Sequence, residues 1–348
     1  MGPTRHRDLV DGGRPRRIVT RLRPPTSDFR GRAGFEAPRL LDLKMPSISK
    51  PGSGIDGQTF RGGSLLVRFA NFVKLPHTVF ALPFALLGVV YASFSTTVAP
   101  TQLFLVAVAF TAARFAAMGF NRIVDLRIDA LNPRTVNREL VQGKLTLGQA
   151  WGAVMVTSLV FLISASLLNT LCMVLAPLAL AWILSYSYTK HFTNLSQLWL
   201  GVSLAIAPVG GYLAVTGAWS DPAWTLLVLA AAVFTWVAGF DTFYALQDET
   251  FDREHGLRSL VVQYGRVTAI RMAKTIHGLT IGCLIIFGLG TNFGGVFLVG
   301  IGIAAGILAW EHQLVKPDDL SRVDAAFFMM NGIMSLVVFT AALIDRMI

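Results

Sequence analysis

The 348-residue chain is 53% hydrophobic and 14% charged, with a mean hydropathy of +0.58, where a soluble domain carries about a quarter charged residues. That balance excludes a soluble globular enzyme and predicts an integral membrane protein. The formal charge of +10 does not point to nucleic acid, because ten arginines and Lys44 against five acids put +6 of it in residues 1–44.

Residues 1–63 are rich in Arg, Pro and Gly and lack a helical apolar period, which predicts a disordered basic tail. Met45 is an alternative start. An Arg-rich organelle transit peptide is a second reading of the tail, and no secretory signal is expected. Residues 64–74 form an amphipathic stretch, with Leu65, Phe69, Phe72 and Val73 on one side and Ser64, Arg68 and Asn71 on the other. This predicts an interfacial helix. Arg68 and Lys74 are placed to meet anionic lipid or an acceptor carboxylate. His77 opens the first span as an interface residue.

Nine apolar segments follow, near 76–95, 102–121, 147–167, 171–187, 196–216, 222–246, 268–289, 293–310 and 326–345. Each approaches the roughly 20 residues that cross a bilayer as a helix. The expected fold is therefore an all-α bundle of nine transmembrane helices over residues 64–348, capped by helical cytoplasmic loops. Cys172 and Cys283 lie in different segments, which excludes a disulfide framework and a Cys-based zinc site. Gly302 and Gly306 have the spacing of a close helix contact.

Alternate loops lack Lys and Arg, whereas the others carry Arg122, Arg127, Arg134, Arg138 and Lys144, then Lys190, then Arg253, Arg258 and Arg266, then Lys316 and Arg322. Positive residues remain on the cytoplasmic side. The N-terminus is thus expected inside, and both acidic motifs face the cytoplasm. The membrane is the bacterial inner membrane, or the mitochondrial inner membrane in a eukaryote.

Those motifs carry the chemistry. Asn121, Asp125 and Asp129 follow one another at intervals of four, as do Tyr244, Asp248 and Asp252, with Asp241 just upstream. This spacing puts each set on one helix face. Carboxylates beside a membrane span are expensive and by default functional. Mg2+ takes a few carboxylates together with phosphate oxygens, so Asp125, Asp129, Asp248 and Asp252 are candidate metal ligands in a cage around a diphosphate. Arg122, Arg134, Arg138, Lys190 and Arg258 share these loops as candidate diphosphate-binding cations. Asp125, Asn121 and Tyr244 are candidate catalytic residues, with Asp125 the candidate base. The organic part of the substrate must be lipid-soluble, because the site opens onto apolar helices. A polyprenyl diphosphate fits, ionising to an allylic cation beside Phe120, Phe240, Phe243, Tyr244 and Tyr186. An electron-rich aromatic ring is the natural acceptor. For Glu311, His312, Asp324 and Asn331 the spacing suggests no chemistry beyond a helix-to-helix hydrogen bond.

At these residues the chain resembles the UbiA superfamily of intramembrane aromatic prenyltransferases. The resemblance rests on Asn121-x3-Asp125-x3-Asp129, on Tyr244-x3-Asp248-x3-Asp252 and on Tyr186-x3-Lys190. The stretches 77–88, 240–259 and 310–328 are similar to the 4-hydroxybenzoate polyprenyltransferase branch. The resemblance implies Mg2+, a polyprenyl diphosphate donor and a quinone-precursor acid as acceptor, with Arg138 and Lys190 on the diphosphate. A naphthoate acceptor for menaquinone is the alternative within the family. A transporter using the acids as an ion path is the alternative outside it, and that would need carboxylates near mid-membrane.

Overall fold

The computed structural model describes residues 60, 62–323 and 329–348. The tail at 1–59, the side chain of His77 and Asp324 lie outside the described residues. Helices dominate, and the one β-type pairing among the described residues is an isolated bridge between Lys316 and Asp319.

A short α1 (Leu65–Phe72) precedes α2 (Leu75–Ala92), α3 (Pro100–Val124), α4 (Leu126–Leu131), α5 (Leu147–Leu168), α6 (Thr170–Ser185) and α7 (Thr189–Phe192). Then come α8 (Ser196–Thr216), α9 (Ala223–Ala245), α10 (Glu249–Glu254), α11 (Leu260–Tyr264), α12 (Arg266–Leu289), α13 (Gly295–Leu314) and α14 (Asn331–Met347). Seven of the described helices are long and apolar enough to cross a membrane. The expected first and ninth spans correspond to α2, whose Ala81–Ala92 part is a shorter apolar helix, and to the 17-residue α14. The span limits otherwise agree with the apolar segments to within a few residues.

The helices pack as two rings that share α2 and α8. One runs α2, α3, α5, α6, α8, and the other α2, α8, α9, α12, α13, α14. The shared crossing depends on two glycines. A Cβ at Gly88 would stand 2.0 Å from the Pro208 carbonyl oxygen, and one at Gly211 would stand 2.1 Å from that of Ala85. No side chain fits there, and the backbones touch directly. The same logic fails for the pair singled out in the sequence. A Cβ at Gly302 or Gly306 would meet nothing within 4 Å, whereas Gly300 is the glycine pressed on Ala341 of α14. Helix α1 also departs from expectation. Asn71, expected on the polar side, is buried and exchanges two hydrogen bonds with the backbone of Phe60. Arg68 donates to the Lys144 carbonyl at 2.9 Å.

Between α2, α3, α6, α8 and α9 the bundle leaves a cavity of about 420 Å3. Its wall follows α8 from Gln197 to Ala214, a length of about 25 Å at 1.5 Å per residue. At the far end the last carbonyls of α8, where the helical ladder runs out, are met by side chains, and Leu213 O also accepts from Gly217 N at 2.8 Å. Asn169 donates to Leu213 O at 2.8 Å, and Gln102 reaches Ala214 O and Val215 O at 3.4 Å.

Candidate active site

Both acidic motifs sit where a long helix breaks. Helix α3 ends at Asp125 and the chain turns into α4. Helix α9 passes through a 3-10 turn at Leu246–Asp248 into α10. The breaks bring the two motifs together at one mouth of the cavity. Asn132, just after the first motif, donates to Asp248 Oδ1 at 3.0 Å. Arg134 grips the same carboxylate through both Nε (2.8 Å) and Nη2 (2.5 Å), and its Nη1 donates to the Tyr244 hydroxyl at 2.6 Å. Its guanidinium also lies 4.9 Å from the Tyr244 ring centroid.

The other acids are paired as well. Arg138 Nη1 lies 2.6 Å from Asp129, and Lys190 Nζ lies 3.5 Å from Asp252. Asn121 Nδ2 donates to Asp125 Oδ2 at 2.9 Å, one turn along α3. Burial pushes the Asp125 carboxyl up to about 6, and the neighbouring charge of Asp129 adds to the rise against the pull of Lys190 and Arg138. Asp129, Asp248 and Asp252 are buried, with 5%, 4% and 1% exposure, so these pairs sit where solvent screens them little.

Most residues expected at the site line the cavity: Asn121, Asp125, Asp129, Arg134, Arg138, Lys190, Tyr244, Asp248 and Asp252. Asp241, Tyr186 and Phe240 line it too. Two expected cations do not. Arg122 is buried outside the lining, because one residue past Asn121 turns it about 100° around the helix. Arg258 is exposed and donates to the Phe192 carbonyl at 2.8 Å, holding the loop instead of facing the cavity. Phe120 packs against Trp151 and Tyr188. Phe243 is fully buried against His277 and His312. Neither lines the cavity.

The four aspartates do not form a metal cage on their own. Among the described residues no group of three His, Cys, Asp or Glu is arranged to hold an ion. That fits an ion completed by substrate oxygens, since Mg2+ usually keeps only one or two carboxylates and takes the rest from phosphate and water.

One cavity residue escaped the sequence reading, and Lys74, expected to meet anionic lipid or an acceptor carboxylate, lines the cavity as well. Lys74 joins α1 to α2 with φ 49°, in the left-handed region, and its amine comes to 3.5 Å from the Tyr244 hydroxyl. Such backbone in a non-glycine residue is held by its surroundings and clusters at functional sites. Arg114 also lines the cavity, and its Nε is buried with no hydrogen-bond partner among the described residues. It lies seven residues before Asn121, two turns down the same helix face, and that spacing was the available signal.

Comparison with known proteins agrees with this geometry. The UbiA prenyltransferase family model matches residues 81–333. A protein of Pseudomonas fluorescens named 4-hydroxybenzoate octaprenyltransferase is 29% identical over 67% of this chain and 77% of its own length. One of the same name from Aromatoleum aromaticum is 31% identical with the same coverage. The apo structure of a UbiA homolog from Aeropyrum pernix K1 superposes with a TM-score of 0.71 at 32% identity, over 77% of this chain and 98% of that one. A UbiA homolog from Archaeoglobus fulgidus bound to GPP and Mg2+ shares the fold, with a TM-score of 0.60 at 16% identity, over 81% of this chain and all of that one. With paired acid–cation clusters at the mouth of an intramembrane cavity and a family match over most of its length, the chain belongs to the UbiA prenyltransferase family.

Proposed function

We propose that this protein transfers a polyprenyl group from a polyprenyl diphosphate to 4-hydroxybenzoate or a closely related hydroxylated aromatic acid, in quinone biosynthesis. The observation that carries the reading is the vertical order of charge in the cavity. Three cation–aspartate pairs stand at the mouth, and one half-buried guanidinium, Arg114, whose Nε is buried without a hydrogen-bond partner among the described residues, lies within the apolar part. The mouth suits a diphosphate. A lone cation deeper down suits the carboxylate of a small aromatic acid, since an intramembrane charge calls for a counter-ion. The names of the relatives from Pseudomonas and Aromatoleum support the same donor and acceptor classes.

Asp125, Asp129, Asp248 and Asp252 would hold Mg2+. When bound, the ion supplies charge neutralisation for the departing diphosphate. Arg134, Arg138 and Lys190 take phosphate oxygens, and the two arginines present flat forks for them. Asn121 orients Asp125. The Tyr244 ring, already beside Arg134, offers a π face to the allylic cation, and the apolar wall below excludes water. The acceptor ring carbon ortho to the hydroxyl attacks the allylic carbon. The ring proton leaves toward the mouth, where Asp125 and the released diphosphate can take it. The positive loops support a mouth on the cytoplasmic side of the inner membrane, with a prenyltransferase domain over residues 64–348 that excludes the basic tail.

The test is turnover of purified enzyme with labelled donors of several chain lengths and a panel of acceptors that includes 4-hydroxybenzoate, a hydroxynaphthoate and phenol. Transfer to 4-hydroxybenzoate is expected, abolished by EDTA and restored by Mg2+. Arg114→Ala is expected to raise the acceptor KM at least about tenfold, the scale of a charge-assisted hydrogen bond, with donor KM unchanged. Equal use of phenol by the wild type would remove the acid-binding role, and preference for the naphthoate would reassign the acceptor.

A further inference from the structure

Below the acidic mouth, one wall of the cavity is held by a hydrogen-bond chain that the site itself does not use. Trp236 of α9 lines the cavity and is 1% exposed. Its indole Nε1 donates to Asn331 Oδ1 at 2.7 Å. Asn331 Nδ2 in turn donates to Glu311 Oε1 at 2.8 Å. The backbone carbonyl of Trp236 is met by His277 Nε2 at 3.2 Å, and His277 Nδ1 lies 3.1 Å from His312 Nε2. Gly239 makes this approach possible, because a Cβ there would stand 2.2 Å from the His277 ring. Helices α9, α12, α13 and α14 thus converge on one tryptophan.

Glu311 is the costly member. It is 0% exposed in an apolar bundle, and its Oε2 has no hydrogen bond among the described residues; the His277 Nδ1 atom is 3.8 Å away. An apolar residue of that size would pack at least as stably. What the carboxyl does is hold an amide in place. An indole N–H can only donate, so Oδ1 of Asn331 must face Trp236. That leaves Nδ2 to donate to Glu311 Oε1, which anchors the far side of the amide and so fixes its position against the indole. The indole is then fixed against Phe84, at 4.6 Å between centroids, and Phe240, at 4.9 Å. Trp236 stands twelve residues before Asp248, about 18 Å along the helix. Arg114 stands eleven residues before Asp125, about 16 Å along its own. The aromatic wall and the lone guanidinium therefore lie at similar depth.

We propose that Glu311 is a positioning residue: through Asn331 it fixes Trp236 as the wall that presses the acceptor ring into place, so that the allylic cation is captured by the ring and not by water. The inference rests on the prenyl-transfer reading above. Both fates release diphosphate. In one, a ring carbon bonds to the allylic carbon and the ring loses its proton. In the other, a water oxygen bonds to that carbon, a water proton leaves, and the product is the free prenol.

The experiment measures the ratio of prenol to prenylated acid made by the full-length enzyme with Mg2+, labelled donor and saturating 4-hydroxybenzoate. Glu311→Leu is expected to raise that ratio about fivefold, the factor that one neutral hydrogen bond commands, while total diphosphate release persists. Glu311→Gln still offers an oxygen to Asn331 Nδ2 and is expected to restore the wild-type ratio. Trp236→Phe keeps a ring but lacks the N–H, and it should raise the ratio without loss of helicity; it carries the test if Glu311→Leu does not fold. An unchanged ratio in Trp236→Phe overturns the proposal, as does Glu311→Gln behaving like Glu311→Leu. Wild-type enzyme that forms neither product overturns the prenyl-transfer reading itself, a result separable from the other two.

Discussion

Asp125 differs from its three companions in having a neutral amide as its hydrogen-bonding neighbour, where each of the others holds a cation. Its carboxyl is pushed up to about 6 by burial and by Asp129, so a proton and the proposed divalent ion would compete for it near neutrality. Apparent Mg2+ affinity is expected to weaken as pH falls through about 6, read as the Mg2+ concentration for half-maximal turnover. The stability sign is opposite. A raised folded pKa favours the folded state below the unfolded value near 3.8, and that contribution is lost as pH rises through 6. Metal-free protein is therefore expected to have a higher thermal midpoint at pH 5 than at pH 7 as far as this group is concerned. Asp125→Ala and Asp248→Ala should each abolish transfer with the protein still folded in detergent; near-normal turnover in either would remove the metal assignment. Spacing located these acids, because residues four apart point the same way on a helix, whereas Arg134, Arg138 and Lys190 came from sharing the loops of the acidic motifs. The same reading failed for Arg122 and Arg258, where proximity in sequence stood in for direction. It passed over Arg114, which read as one polar residue in an apolar span.

The crossing of α2 and α8 controls how closely the two rings approach, and it has no side chain to spare. A methyl group at Gly211 would overlap the Ala85 carbonyl, and carbonyls within helices cannot step aside as a flexible side chain can. Gly211→Ala is expected to lower the thermal midpoint and reduce turnover together, since α8 also forms the cavity wall. Gly302→Ala, at a glycine facing nothing within 4 Å, should leave both unchanged; fluorescence-detected thermal unfolding in detergent separates the two. Hydropathy found the spans because a bilayer fixes their length. It could not say which helices neighbour one another, nor that Gly300 rather than the Gly302–Gly306 pair meets α14. The buried link from Glu311 through Asn331 to Trp236 was equally hidden, because its members lie 20 and 95 residues apart in the chain.

On the scale of the full chain, every described residue that lines the cavity falls between Lys74 and Asn331, and the family match covers 81–333. Removing residues 1–44 is therefore expected to spare kcat and both KM values; a loss of catalytic rate would give the basic tail a role in turnover. The pairing at the mouth has a broader effect. Arg134, Arg138 and Lys190 already hold Asp248, Asp129 and Asp252, so before any substrate arrives the entrance is close to electrically balanced. A magnesium diphosphate is itself nearly neutralised. Under the proposed function, docking would become an exchange of partners, in which arginines would release aspartates to take phosphates and the aspartates would be free to hold the metal. The rim of an oily slab can thus accept a headgroup of several charges while the sum it must carry hardly moves, and an empty entrance offers stray ions little to follow across the membrane.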